Sequence, residues 1–256
     1  MDFEIIVNSI PALLEGAVLT IEITALSVLI GLAVSVPLAL MRVSHNPALW
    51  MPVYGYIFYF RGTPLLVQIF LIYYGSGQFR EELEAAGLWH FFREPYFCAV
   101  LTLTLNTAAY TAEILRGAIR AVPYGEVEAA RACGMSRGLL YRRIILPKAF
   151  RLALPAYSNE VVFLFQATSL VSIITLLDLT GIARIIVARS FAVYEIYITA
   201  GIIYLIVTYG ILYIFKKVEF RLSGHLRERE GMDAAAPAAK AAAAGPARAA
   251  DAIAVR

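Results

Sequence analysis

Residues 128–147 read Glu128-Ala129-Ala130-Arg131-Ala132-Cys133-Gly134-Met135-Ser136-Arg137-Gly138-Leu139-Leu140-Tyr141-Arg142-Arg143-Ile144-Ile145-Leu146-Pro147. Glu126 and Glu128 stand where a helix would begin, and the helix dipole favours negative charge there. Ala129, Ala130 and Ala132 favour helix and leave a narrow surface that another protein can approach closely. Gly134 breaks this short helix because it can take a positive φ, and Ser136 can cap the next one. Pro147 is expected to end or kink that second helix. The product is a helix–turn–helix with Arg131, Arg137, Arg142 and Arg143 exposed. The simpler alternative is an amphipathic loop held on anionic lipid by its arginines.

The surroundings of this stretch place it at a membrane. Of the 256 residues, 60% are hydrophobic and 16% charged, whereas an ordinary globular domain has about 45–50% apolar residues and about a quarter charged. A soluble enzyme domain is excluded, and with a net charge of only +3 a nucleic-acid partner is not expected. The two cysteines, Cys98 and Cys133, lie far apart and supply neither a disulfide framework nor a zinc site. A hydrocarbon core of about 30 Å needs roughly 20 apolar residues in a helix. Five stretches meet that length, at about 16–41, 57–78, 96–115, 155–177 and 196–215, so the fold class is an all-α, polytopic membrane protein.

The basic residues orient it. Residues 116–151 hold eight Lys or Arg against two acids, and Lys216, Lys217 and Arg221 follow the last span. The N-terminus carries Asp2, Glu4 and Glu15, and the loop at 79–95 has two arginines against four glutamates. Because basic loops stay in the cytoplasm, the N-terminus is expected outside and the C-terminus inside. No cleavable signal peptide is evident, the extreme N-terminus being acidic. Residues 1–225 form the transmembrane domain in this reading. Residues 226–256, charged and then rich in Ala and Pro, form a cytoplasmic tail expected to be disordered.

Spaced as Glu-Ala-Ala, three residues, Gly, nine residues, Ile-x-Leu-Pro, the stretch 128–147 resembles the signature loop of ATP-binding-cassette (ABC) import permeases. Phe60-Arg61-Gly62-Thr63-Pro64-Leu65 with Gln68 resembles the polar amino-acid branch of that family. So do Leu105-Asn106-Thr107, Ala109-Tyr110-Thr111-Ala112-Glu113, Gly117-Ala118-Ile119-Arg120 and Leu154-Pro155-Ala156-Tyr157-Ser158-Asn159-Glu160-Val161. The resemblance covers roughly residues 10–225. It is nearest to the M-type subunits of histidine and lysine–arginine–ornithine importers and of opine permeases.

The resemblance implies a type I ABC importer permease fold in the bacterial inner membrane, with loop 116–151 as the coupling loop. Glu128, Ala129, Ala130, Arg131, Gly134, Met135 and Ser136 would dock an ABC ATPase dimer. ATP and magnesium would bind that partner and no cofactor this chain, which has no G-x-x-x-x-G-K-[ST] phosphate loop. It is therefore expected to be no enzyme itself. A second homologous permease subunit, expected to be a paralogue, and an extracytoplasmic amino-acid-binding protein complete the implied assembly.

Charges inside the bilayer mark candidate sites, since each costs about 2.5–3.5 kcal/mol on insertion scales. Glu160 lies in the fourth span with Asn159 beside it and Gln166, Thr168 and Ser169 further along. Together with Tyr110 of the third span, these are the candidate substrate residues, and a carboxylate there suits the cationic end of arginine, lysine, ornithine or protonated histidine. The structural alternative is an ion pair of Glu160 with Arg61 or Arg116. Gln166 stands where some relatives carry a basic residue. Glu113 is expected to pair locally with Arg116 at i,i+3. Arg61 is expected at a helix start, with Thr63 capping and Pro64 in the first position, free to snorkel. Glu22 is expected to reach water near the outer surface.

Asn46-Pro47-Ala48 occurs once and reads as a turn rather than a water-channel element. His45, His90 and His225 are scattered over loops and give no catalytic constellation. The rival function is an ion- or proton-coupled secondary amino-acid transporter using Glu160 and Glu113, which leaves the Glu-Ala-Ala spacing unexplained.

Overall fold

The structure, a computed structural model, describes residues 3–222, and the tail at 226–256 lies outside the described residues. Every regular element among them is helical. Helix α1 is Phe3–Arg42, α2 is Pro47–Gly62 and α3 is Leu65–Tyr73. A 3-10 turn, Gly75–Phe79, leads to the short helices α4, Arg80–Ala85, and α5, Trp89–Phe92. Then come α6, Pro95–Arg120, α7, Tyr124–Ala132, and α8, Arg137–Leu140. A π-helical turn, Tyr141–Ile145, joins α8 to α9, Leu146–Ala167, which tightens to 3-10 over Thr168–Ile174. Two more helices, α10 at Leu179–Ser190 and α11 at Val193–Leu222, complete the fold. Helix α11 continues to Leu222.

Four continuous helices are long and apolar enough to cross a membrane, and a fifth span exists if the bent pair α2–α3 is counted as one. The expected second span at 57–78 is therefore not a straight helix. The chain turns through 107° between Gly62 and Leu65. The cause is local: Pro64 offers no N–H and drives the preceding residue out of the helical region, leaving Thr63 extended at φ −113°, ψ 147°. Thr63 closes the end of α2, its N–H and hydroxyl both donating to the Tyr59 carbonyl, and Pro64 is the residue before α3. Arg61 thus sits in the last turn of α2 and not at a helix start.

Pro147 also departs from expectation. It neither ends nor sharply kinks a helix, because one helical run continues from Arg137 to Ile174. The π turn at 141–145 precedes it, and a change of hydrogen-bond register is how a helix tolerates a missing N–H. The segment expected as the loop 178–195 holds α10.

Helix α6 is the centre of the bundle and is buried along most of its length against α1, α9, α2 and α3. Small residues on α1 permit the closest approach. Ser27 donates to the Val100 carbonyl, and a Cβ at Gly31 would collide with Thr107 Cγ2. Helix pairs in membranes gain from such contact because lipid offers no hydrophobic drive between them. Gly31→Ala is expected to destabilise the protein by about 1–3 kcal/mol through overpacking, read as a lower unfolding midpoint in detergent. By contrast α11 is uncharged from Ile196 to Phe215, yet only Ile196 and Ala200 of it are buried.

Asp178 lies outside the membrane-spanning helices, fully buried, and caps α10 by accepting from Thr180 N and Gly181 N. Burial pushes its carboxyl up to about 6, against the opposing pull of those N–H groups and of Arg184. The native chain therefore holds this proton more tightly than the unfolded one. Stability is expected to fall as pH rises from about 4 through about 6, by about 2–3 kcal/mol from this group, and to level off above. Asp178→Asn should abolish that slope in unfolding midpoints measured across the range.

Candidate functional site

The bend between α2 and α3 leaves backbone carbonyls without helical partners, and lipid supplies none. A buried amide pair supplies them. Gln68 Nε2 donates to Phe60 O at 2.9 Å and Thr63 O at 3.1 Å, while Asn106 Nδ2 donates to Gln68 Oε1 at 2.9 Å. Asn106 on α6 thus fixes the corner against the central helix. One turn further along the same face comes Tyr110, and beside it Thr107.

This corner, α6 and α9 enclose a polar cavity of about 400 Å³ lined by Thr63, Asn106, Tyr110 and Glu160, with Phe163, Leu164 and Ala167 as its apolar wall. Glu160 is half-buried and accepts from Thr107 Oγ1 at 3.2 Å. Among the described residues it makes no ion pair; Arg61 acts on it at longer range and lies 5.1 Å from the Tyr110 ring centroid. The structure therefore brings together Glu160 and Tyr110 of the candidate substrate residues. Asn159 and Gln166 lie exposed on another side of α9, so they do not line this cavity. Thr168 is buried with its hydroxyl donating to Phe165 O, and Ser169 is half-buried outside the cavity. Asn106, Thr107 and Thr63 were not among the candidates. The spacing Asn106, Tyr110, Glu113, which puts all three on one face of α6, is a signal the sequence reading did not use.

Glu113 makes the expected local pair with Arg116. Arg116 binds Glu113 Oε2 through Nη2 at 2.6 Å and Nε at 2.7 Å, and Arg42 Nε adds a second cation at 3.4 Å from Oε1. Glu22 is exposed and accepts from Tyr96 Oη at 2.7 Å.

The loop 116–151 forms the expected helical hairpin. Gly134 takes φ +77°, its N–H donating to Arg131 O while Met135 N donates to Ala130 O. This paired closure is the glycine-ended helix terminus in which the left-handed residue satisfies the last carbonyls. Ser136 Oγ accepts from Leu139 N and caps α8. Glu128, Ala129, Arg131, Gly134 and Ser136 are exposed. Ala130 points inward and packs with Leu115, Ile119, Val122, Leu140 and Ile145, with Met135 half-buried against them. Glu126 is tied to Lys148 of α9 by an ion pair. The hairpin is thus fastened to the helices that carry the cavity.

The site is thus a carboxylate-bearing cavity inside a bundle of membrane helices, with a helical hairpin fastened to the helices that line it. The chain belongs to the family of binding-protein-dependent transport system inner membrane components, whose model matches residues 27–224. It is 50% identical over 231 residues to the nopaline transport system permease protein of Agrobacterium fabrum, covering 90% of this chain and 96% of that one. It is 44% identical over 214 residues to the histidine/lysine/arginine/ornithine transport system permease protein of Escherichia coli strain K12, covering 83% and 89%. The crystal structure of an amino acid ABC transporter with histidines matches with a TM-score of 0.77 at 34% identity, over 86% of this chain and 99% of that one. This chain is a permease subunit of an ABC importer of the bacterial inner membrane, with the type I importer permease fold, and the ATPase activity lies in a separate subunit.

Proposed function

We propose that this subunit carries polar, cationic amino acids (histidine, arginine, lysine, ornithine) or opines into the cytoplasm. The observation that carries the reading is the half-buried Glu160 carboxylate, without an ion-pair partner among the described residues, facing a cavity shared with Asn106, Tyr110 and Thr63. A carboxylate in a low-dielectric site seeks a cation, and the surrounding amide and hydroxyl groups suit the polar remainder of an amino acid. The substrates named for the relatives support the same class.

The exposed residues of the hairpin, Glu128, Ala129, Arg131, Gly134 and Ser136, dock the ATPase dimer in this proposal, with Ala130 and Met135 seating the hairpin from behind. The concentration of Lys and Arg in residues 116–151 supports a cytoplasmic hairpin, with the N-terminus outside and the C-terminus inside. A second permease subunit, a paralogue, completes the path in this proposal, in keeping with the resemblance to M-type subunits. An extracytoplasmic binding protein delivers the substrate, and residues 1–225 act as one transmembrane domain.

Proteoliposomes containing the permease pair, with ATPase inside and binding protein outside, test this directly. Uptake of labelled arginine is expected to require ATP and the ATPase subunit and to survive collapse of proton and sodium gradients. Gradient-driven uptake without ATP would replace this reading with a secondary transporter.

A further inference from the structure

A second cavity is larger than the one that holds Glu160. A space of about 600 Å³ lies between the α1–α2 corner and the hairpin, lined at its polar side by Arg131, Arg137, Ser44 and Tyr141 and at its floor by Leu40 and Ile145. No Asp or Glu lines it. Nearby, Lys148 pairs with Glu126, and Arg42 and Arg116 share the single carboxylate of Glu113. Arg131 and Arg137 have no ion-pair partner among the described residues, so the cavity gathers two uncompensated guanidinium groups. Ser44 Oγ accepts from Asn46 N, which leaves its own proton to donate.

We infer that this cavity binds the phosphate group of an anionic phospholipid, the two guanidinium groups clasping the phosphate and the apolar floor taking the start of an acyl chain. Guanidinium is suited to phosphate because its planar fork donates two parallel hydrogen bonds. The depth fits a lipid. Leu40 is at the end of α1, and α2 begins at Pro47, so the corner joining two membrane helices stands at headgroup level. An apolar floor beneath a cationic rim matches an amphiphile better than an acidic protein side chain. Of the hairpin's exposed docking residues, Glu128, Ala129, Gly134 and Ser136 lie outside the cavity, whereas Arg131 lines it. A lipid held here bridges the α1–α2 corner to the hairpin and braces it.

Native mass spectrometry of the full chain in detergent, titrated with short-chain phosphatidylglycerol, short-chain phosphatidylcholine or inorganic phosphate, tests the assignment. Phosphatidylglycerol is expected to bind about tenfold more tightly than phosphatidylcholine, as expected for two surface cations. The double variant Arg131→Gln/Arg137→Gln should erase that preference. Ser44→Ala, which leaves the charges intact, should weaken it severalfold, and Arg142→Gln, exposed but outside the cavity, should leave it unchanged. Equal binding of both lipids, equal loss in Arg142→Gln, or full displacement by inorganic phosphate would each overturn the assignment. So would a double variant that keeps its lipid preference, since the cavity's guanidinium groups would then not hold the phosphate; loss of ATPase association in that variant is expected in either case, because Arg131 is also a docking residue.

Discussion

Gly134→Asp leaves the chain inserted and folded but lowers ATP-driven uptake by about a hundredfold or more, the equivalent of about 3 kcal/mol of lost docking. The folded state tolerates the change for two reasons. A Cβ at this position meets no atom within 4 Å, and Asp is one of the few residues that enter the left-handed region at modest cost. The interface does not tolerate it. Gly134 is the exposed turn of the hairpin, where absence of a side chain lets a partner reach backbone, and a carboxylate there brings bulk and a charge to be desolvated. Uptake assays and co-purification with the ATPase subunit should fail together. Normal association with normal uptake would remove the hairpin from the coupling pathway. Gly134→Ala separates the two effects, since it pays only the left-handed strain of about 1–2 kcal/mol and should retain much of the activity.

Glu160→Gln lowers uptake of cationic substrates by about ten- to a hundredfold while neutral amino acids change little, because a hydrogen bond to a charged group contributes about 1.5–3 kcal/mol. The amide keeps the size of the carboxylate and still accepts from Thr107, so the packing between α6 and α9 is preserved. What is lost is the charge facing the cavity. Competition uptake of labelled arginine against neutral amino acids reads the difference. Equal loss for both classes would mark Glu160 as a structural group of the α6–α9 contact. Thr107→Val serves as a companion: it removes the hydroxyl that orients the carboxylate and should reduce arginine uptake less than Glu160→Gln does.

The hairpin was legible from residues alone because its determinants are local. A helix dipole, three alanines, a glycine with positive φ and a capping serine act within one or two turns, and the structure places Gly134 and Ser136 in those roles. The Glu113–Arg116 pair is local in the same way. The bend within the second span is invisible to hydropathy, which measures length, whereas one Thr63-Pro64 step sets direction. Even there the sequence contained the signal, in a proline inside an apolar run. The consequence, Gln68 and Asn106 meeting across 38 positions to satisfy the broken backbone, was not local and gave no pattern to read.

The same division runs through the candidate site. Glu160 stood out in one dimension as a charge in an apolar span, but its neighbours in sequence are not its neighbours in space. Asn159 and Gln166 point elsewhere because a helix turns successive residues by about 100°, and the groups that share the cavity come from α6 and the α2–α3 corner. Composition and periodicity determined that this chain is a bundle of membrane helices with a cationic hairpin, since both depend on transfer energies and short-range propensity. Only the tertiary structure decided which polar side chains face one another, because that depends on the rotation and crossing of whole helices.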